Sequence, residues 1–518
     1  MSKIQFKRGL EADRLNQSPA FVPDAGEPIW VTDKNTLYIG DGSTEGGVPV
    51  SKGLDVLYTQ TVDNPNAFGT PQNDYFGSCV AVSNNYAIIT SGGEDGGDGV
   101  AYIYDISTGA LLHTIQNPAA TSPYEYTGFV EEPRRAAISG NYAILGAPYD
   151  SGGFNGGTAY IYNVITGALL YTLVNPNAGT SPFFDNFGIS VSISGNYVIV
   201  GASDEDESPS YFSSGKVYIY DISTFTTDTI TSANYVLDNP NDYDTPANDN
   251  FGASVAISGG YAIVGAQYED QSGGSNSGKA YIYDISTFTT STITTANYVL
   301  DNPSAYSNTV SDFFGSDVAI SGNYAAVGAR GEDDASGTTS GKVYVYDIST
   351  FTTSTITSSN YVLDNPNPVS SSNNDNFGAG ALEISGNYIL VGALEEEDIS
   401  PLSAGSGSGK AYLYDISTFT TTTITTPNYT FDNPNVFGTA QNDNFGTAIA
   451  ISGNYIVIGA KYEDEDSSPG GNSGKAYIFK TNGQDPTYTG AEIASFAPAV
   501  STGISTGKAI AMAMIFGG

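Results

Sequence analysis

DNFGASVAISGGYAIVGAQYEDQSGGSNSGKAYIYDISTFTTSTITTANYVLDNP, residues 249–303, is a phrase the chain repeats seven times. The next copy opens at Asp312 with DFFGSDVAISGNYAAVGARGEDD and closes with NYVLDNP at Pro366. Others open at Asp74 (DYFG) and at Asp185, Asp375 and Asp443 (each DNFG). A worn copy has Tyr126-Thr127-Gly128 in place of the Phe-Gly, and ISGNYAILGAPYD follows from Ile138. A period of roughly 50–70 residues means a repeat architecture, in which each unit buries its apolar faces against its neighbours.

Each copy reads as four short strands. FGASVAI alternates and stops at Ser258-Gly259-Gly260, a two-residue hairpin signal. YAIVGA is a second apolar run that ends at an acidic, Gly/Ser-rich loop. GKAYIYDI alternates again, and STITTANYVL carries the Thr, Tyr, Val and Ile that suit a pleated surface. No copy shows a helical period. Four antiparallel strands repeated radially describe a propeller blade, so the expected fold is all-β, a seven-bladed β-propeller. The seventh copy ends at YIFKTNG, residues 477–483, without a fourth strand. An orphan ahead of the first copy, VLYTQTVDNP at 56–65, matches the fourth-strand ending. It is expected to complete the last blade, closing the ring and removing an open edge that invites aggregation.

The Phe-Gly at the start of each first strand and the Gly-Ala after the second resemble FG-GAP repeats, as in the integrin α-subunit propeller. The Gly-Ala pairs are Gly201-Ala202, Gly265-Ala266, Gly328-Ala329 and Gly459-Ala460, and Gly146-Ala147-Pro148 spells the GAP in full. The resemblance covers about four-fifths of the chain and implies a fold rather than a function. In integrins such repeats carry a calcium loop between the first and second strands. Here that place holds Ser-Gly-Asn-Tyr (Ser194, Ser321 and Ser452 onward), so the family's calcium sites do not carry over.

The first 53 residues are different material, with Lys3, Lys7, Arg8, Arg14 and Lys34 among the chain's 17 basic residues. IQFKRG from Ile4 alternates like a strand, and EPIWVTDKNTLYIGDG from Glu27 reads as two strands about Asp33-Lys34-Asn35. With LYIGDGSTEGG, this order of motifs is similar to the N-terminal domain of the major tropism determinant of phages and related tail-fibre proteins. The resemblance implies an intertwined trimer near the virion. A segment this short builds no core alone, which also favours oligomerisation. The expected domains are thus 1–53 for trimerisation and attachment, 54–481 for the ring, and 482–518 as an assembly tail. The tail ends in STGISTGKAIAMAMIFGG, where Ile510, Met512, Met514 and Phe516 alternate with Ala509, Ala511, Ala513 and Ile515. It resembles the C-terminal tails of virion proteins of tailed phages. It is too short to span a bilayer and apolar on both faces, so it is expected to be buried in a partner or in a trimer.

Charge narrows the partners. With 55 acidic and 17 basic residues the net charge is −38. That sign opposes phosphate, so nucleic acid is not an expected partner, and neither is anionic lipid or membrane insertion. Cys79 is the only cysteine and His113 the only histidine, so neither a disulfide framework nor a cysteine- or histidine-based metal site is available. His113 is read as a structural residue of a fourth strand, with Leu111 and Ile115 facing the core. The Asp-box of sialidases and the P-loop are absent, so no catalytic residue, cofactor or metal is expected.

Antiparallel order puts second-to-third and fourth-to-first connections on one face. These are long, variable and acidic, and binding resides in such loops on rigid scaffolds. The candidate recognition residues are Asp204, Glu205, Asp206, Glu269, Asp270, Glu332, Asp333, Asp334, Glu395, Glu396, Glu463 and Asp464, read as solvated loop charge. The function expected is a homotrimeric virion fibre or spike, on tail or head, bound to other virion proteins and displaying its propeller to a host surface glycan or protein. The alternatives are an architectural fibre or decoration without a dedicated receptor, and an enzyme degrading surface polysaccharide. An adhesive composition without an export signal suits a virion component.

Overall fold

In a computed structural model the described residues are 7–9, 28–31, 36–39, 48–49 and most of 56–481. Within that last range, loop stretches at 67–72, 95–96, 120–134, 151–155, 178–184, 207–212, 242–247, 271–274, 304–310, 333–339, 367–374, 397–406, 435–442 and 464–470 are left out.

Seven antiparallel sheets follow one another, each starting from an innermost strand. Blade four is typical, with Ser254–Ser258, Tyr261–Ala266, Lys279–Asp284 and Tyr298–Asp301 in that order. Ser258 pairs with Tyr261, so the first hairpin turns on Gly259-Gly260 as its sequence requires. The ring closes as expected. Val56–Asp63 forms the outermost strand of blade seven, beside Lys475–Thr481. The Thr59 hydroxyl donates to the Ile478 carbonyl at 2.8 Å, and the Tyr58 ring meets Phe479 edge-on at 5.7 Å.

The Thr-rich tract departs from the four-strand reading. STITTANYVL is not one strand. Thr292–Ile293 crosses to blade three and pairs parallel with its outermost strand, Val236 against Thr292 and Leu237 against Ile293. Only Tyr298–Asp301 remains on blade four. Blades three, five and six send the same two-residue segment backward, so blades two to five each gain a fifth strand. The local sequence explains the detour. The Asp284 carboxylate accepts from the Ser286 amide at 3.0 Å and starts a short 3-10 turn. Phe288 then wedges edge-on against Tyr283 of its own blade at 6.4 Å and Tyr235 of the preceding blade at 5.1 Å. Anchored there, the Thr-Ile pair lies along the neighbour's edge.

The core sits between blades. Ile199, Val217, Ile219 and Leu237 of blade three pack with Val255, Ile257, Val264 and Tyr281 of blade four. Phe251, of the Phe-Gly pair, is fully buried and meets Tyr281 edge-on at 5.7 Å. Cys79 is buried as a small core residue. Leu111 corrects its reading: it is 42% exposed while Ile115 is buried. A register shift beside Ile103 and Tyr104 turns it outward, and His113 uses Nε2 to reach the Ile165 carbonyl at 2.9 Å.

In the N-terminal unit Lys7–Gly9, Pro28–Val31, Thr36–Ile39 and Val48–Pro49 form a sheet in that order. The first pair is parallel and the others antiparallel, and the two central strands are the two read from the sequence, while Asp33, Lys34 and Asn35 between them lie outside the described residues. The short fourth strand was not foreseen. Ile510, Met512, Met514 and Phe516 lie outside the described residues. Among the described residues no helix is long and apolar enough to cross a membrane.

Candidate functional site

The acidic loop face carries the strongest expectation about function, and its geometry changes that expectation. Three residues after each Gly-Ala stands an acid whose side chain turns inward. Glu205, Glu269, Glu332, Glu396 and Glu463 are all at most 1% exposed. Each carboxylate accepts the hydroxyl of a third-strand tyrosine: Tyr218 at 2.7 Å, Tyr281, Tyr344 and Tyr412 at 2.5 Å, and Tyr477 at 2.6 Å. The backbone finishes the fold of the loop. The Glu205 amide donates back to the Ala202 carbonyl at 3.2 Å, and the Gly215 amide donates to the Glu205 carbonyl at 3.0 Å. A buried carboxylate without such donors would be severely penalised. These five glutamates are therefore loop keystones, and their reading as solvated recognition charge is corrected.

Blades one and two repeat the device with residues the sequence reading passed over. Glu94 is buried against Tyr102 at 2.7 Å, and Asp150 against Tyr160 at 2.8 Å. The usable signal was the acid's constant place three residues after the end of the second strand, as in Ser91 to Glu94, Ala147 to Asp150 and Ala202 to Glu205. It was obscured because blade one has Thr90-Ser91 for Gly-Ala and blade two has Asp for Glu. A second pair ties the blade ends together. The Asn of each Asn-Pro donates to the Asp that opens the next copy, as in Asn239 to Asp249 at 2.8 Å and Asn302 to Asp312 at 2.8 Å. At the worn copy Asn117 donates instead to Asp150, at 2.9 Å.

The other candidates divide. Asp204 is half-buried and accepts from Asn186 and, at 2.8 Å, from Asn250 of the next blade. Asp206 accepts the Ser213 amide at 2.9 Å and Asp270 the Asn276 amide at 2.7 Å, so both shape their loops. Glu395 is exposed. Asp333, Asp334 and Asp464 lie outside the described residues.

Burial sets the electrostatics. It pushes Glu205, Glu396 and Glu463 up to about 8, against the lowering effect of the tyrosine bonds. Glu269 rises only to about 7, because Lys279 sits 3.1 Å from its carboxylate. On the ring axis a cavity of about 230 Å³ is lined by the innermost strands of all seven blades. Glu383 stands at a position filled by Ala or Ser in the other blades, as in Ala81, Ser192, Ala256 and Ala319. Glu383 is exposed to this channel, and enclosure by the channel walls, with the nearby Asp317 carboxylate adding to it, raises its pKa.

Among the described residues no three Asp, Glu, His or Cys side chains gather as they would around a metal ion. Thermal melts with and without chelator are accordingly expected to coincide. A large drop with chelator would mean that loop carboxylates bind calcium after all.

Comparison with known families agrees with this architecture. The FG-GAP repeat model matches residues 182–220, 242–283, 305–346 and 438–479. The model of the major tropism determinant N-terminal domain matches residues 4–44. No curated protein matches the chain. Among solved structures, a chain of the one titled "Crystal Structure of Mitotic Checkpoint Complex" is similar at 11% identity and a TM-score of 0.42, over 83% of this chain and 96% of that one.

Proposed function

We propose, from a propeller of FG-GAP repeats that follows a segment like the major tropism determinant N-terminal domain, that this chain is a phage virion fibre or spike. It acts as a homotrimer and offers its propeller loops to the host surface, by binding and not by catalysis. The observation that carries the reading is the match at residues 4–44, because that domain's name ties it to the choice of host. The propeller supplies a rigid platform for loops. Since the keystone acids are spent inside, recognition falls to the sequence between each keystone and the Ser-Gly ahead of the third strand. That sequence differs between blades, as in DESPSYFS at 206–213 and DQSGGSN at 270–276. Three linked heads would gain from avidity even where each binds weakly.

One observation favours the architectural alternative. Among the described candidates only Glu395 is exposed without a structural role. Two measurements separate the readings. Light scattering on the full chain should give three times the 54.0 kDa chain mass. Fluorescently labelled full chain should coat host cells and be displaced by unlabelled chain. A trimer that leaves host cells bare would mean a decoration protein, and a monomer would remove the fibre reading.

A further inference from the structure

We infer that the outer rim of blades seven, one and two is the surface through which propellers of neighbouring copies meet. The inference deepens the trimer reading and rests on it. Among the described residues the exposed large apolar side chains are Tyr58 (49%), Leu111 (42%), Leu112 (39%), Ile165 (52%) and Leu169 (42%). All five lie on the outermost strands, or the turns before them, of these three consecutive blades.

The surface is continuous. Gly109, in the turn of blade one, packs so closely on the closing strand that a Cβ there would lie 2.5 Å from Gln60 Oε1. Gly167, in the turn of blade two, packs likewise on His113, where a Cβ would lie 2.7 Å from the ring. The glycines bring three blades' outer strands into one apolar band, and His113 joins two of them through the Ile165 carbonyl.

The rim is also poor in charge, with Asp63 at the end of the closing strand and Asp228 beside Thr172 as its exposed carboxylates. Residues 56–62, 106–119 and 158–177 contain no Asp, Glu, Lys or Arg, in a chain where such residues are 14% of the total and the net charge is −38. This identifies the occupant. Two copies that approach by their acidic faces repel one another, whereas this band lets like-charged molecules touch with few facing carboxylates. A partner selected by charge would ignore it. The opposite rim shows what the band lacks. There Thr292–Ile293, Thr355–Ile356 and Thr423–Ile424 cover the outer edges of blades three to five, while within the band Thr229–Ile230 pairs only with Thr172 and Leu173 of blade two. The outer edges of blades one, six and seven carry no fifth strand among the described residues, and on blade six the exposed residues of the outer strand are Thr430 and Asp432 rather than large apolar ones. Blade one accordingly leaves Leu111 and Leu112 exposed, where the covered strand of blade three leaves no residue fully exposed. Bare apolar edges are where chains associate.

The test uses the full chain carrying Leu112→Cys and Ile165→Cys, with Thr352→Cys on the exposed rim of blades four and five as control. Cys79 is buried and stays silent. Under mild oxidation the rim cysteines should form disulfides between copies at least tenfold faster than the control. Adding Leu111→Asp should return them to the control rate without lowering the melting temperature, because the site is exposed. Equal rates at the two rims would overturn the proposal. If light scattering still reports a trimer, the trimer reading survives that failure; if it reports a monomer, both fall. Binding of wild-type chain to neutral phosphatidylcholine vesicles, lost with Leu111→Asp while cross-linking stays at the control rate, would mean a lipid surface instead and would also overturn it.

Discussion

Gly265→Ala is expected to destabilise the ring by about 3 kcal/mol, roughly twice the loss expected for Gly259→Ala, at the upper end of overpacking costs. A Cβ on Gly265 would lie 2.1 Å from the carbonyl oxygen of Gly315 in the next blade. Gly315 itself has φ +88°, and a Cβ there would lie 2.3 Å from the Lys279 carbonyl. Both obstacles are backbone, so relief requires two blades to part. The same meeting recurs at Gly146 with Gly188, Gly201 with Gly252, Gly328 with Gly378, Gly392 with Gly446 and Gly459 with Gly77, at 2.0–2.3 Å. The Phe-Gly and Gly-Ala of the repeat are thus two halves of one contact between neighbouring blades. Blade one has Thr90 where the others have Gly, and the copy that follows it has lost its Phe-Gly. Gly259, by contrast, has φ +58° and no atom near its missing Cβ. Its substitution carries only the left-handed backbone cost of about 1–2 kcal/mol. Equal losses at the two sites, measured by denaturant midpoints, would show that blade-to-blade contact is not what the motif provides.

The second large effect is on pH. Stability should fall steadily as pH rises from about 5 to about 8.5. In the unfolded chain a glutamate titrates near its ordinary value of about 4.3. In the ring, burial holds Glu205, Glu396 and Glu463 up to about 8 and Glu269 to about 7. Between those limits the folded state binds more protons than the unfolded one, so raising pH favours unfolding. The contribution is fully present below the unfolded value and is lost as pH passes the folded one. Asp150 and Asp185, raised by burial to about 6, add the same sign over a narrower window. Each keystone contributes up to about 1.4 kcal/mol per pH unit. Glu463→Gln keeps an oxygen for the Tyr477 hydroxyl but cannot ionise. It should flatten the profile by one proton's worth and leave the variant more stable than the parent at pH 8.5. A profile that rises with pH, or a variant with an unchanged slope, would contradict the assignment.

Both effects show where sequence reading stopped. Period-2 alternation, the Gly-Gly and Gly-Asn hairpin turns and the unmatched VLYTQTV segment were enough for seven blades and a closing strand, because all are local or rest on self-similarity. The meaning of the acids was not legible. In one dimension Asp204-Glu205-Asp206 is a charge run in a loop, and such runs are usually solvated. Only the packed blade brings Tyr218 within 2.7 Å of the middle residue while its neighbours turn outward to Asn250 and the Ser213 amide. The Thr-rich tract misled for a similar reason. Its β-forming composition is plain, but which sheet Thr292–Ile293 joins depends on where Phe288 finds an edge-on partner, and Tyr235 lies on another blade.

The chain's residues by themselves determined the architecture, because a blade is made of short-range pairings whose turns and alternation are written in each copy. They also set the sign of the surface, through the excess of carboxylates. The tertiary structure decided which carboxylates belong to that surface. Burial depends on neighbours 12–16 residues away in the same blade or a whole repeat away in the next, and a free-energy cost that depends on those neighbours has no signature in any single stretch of chain.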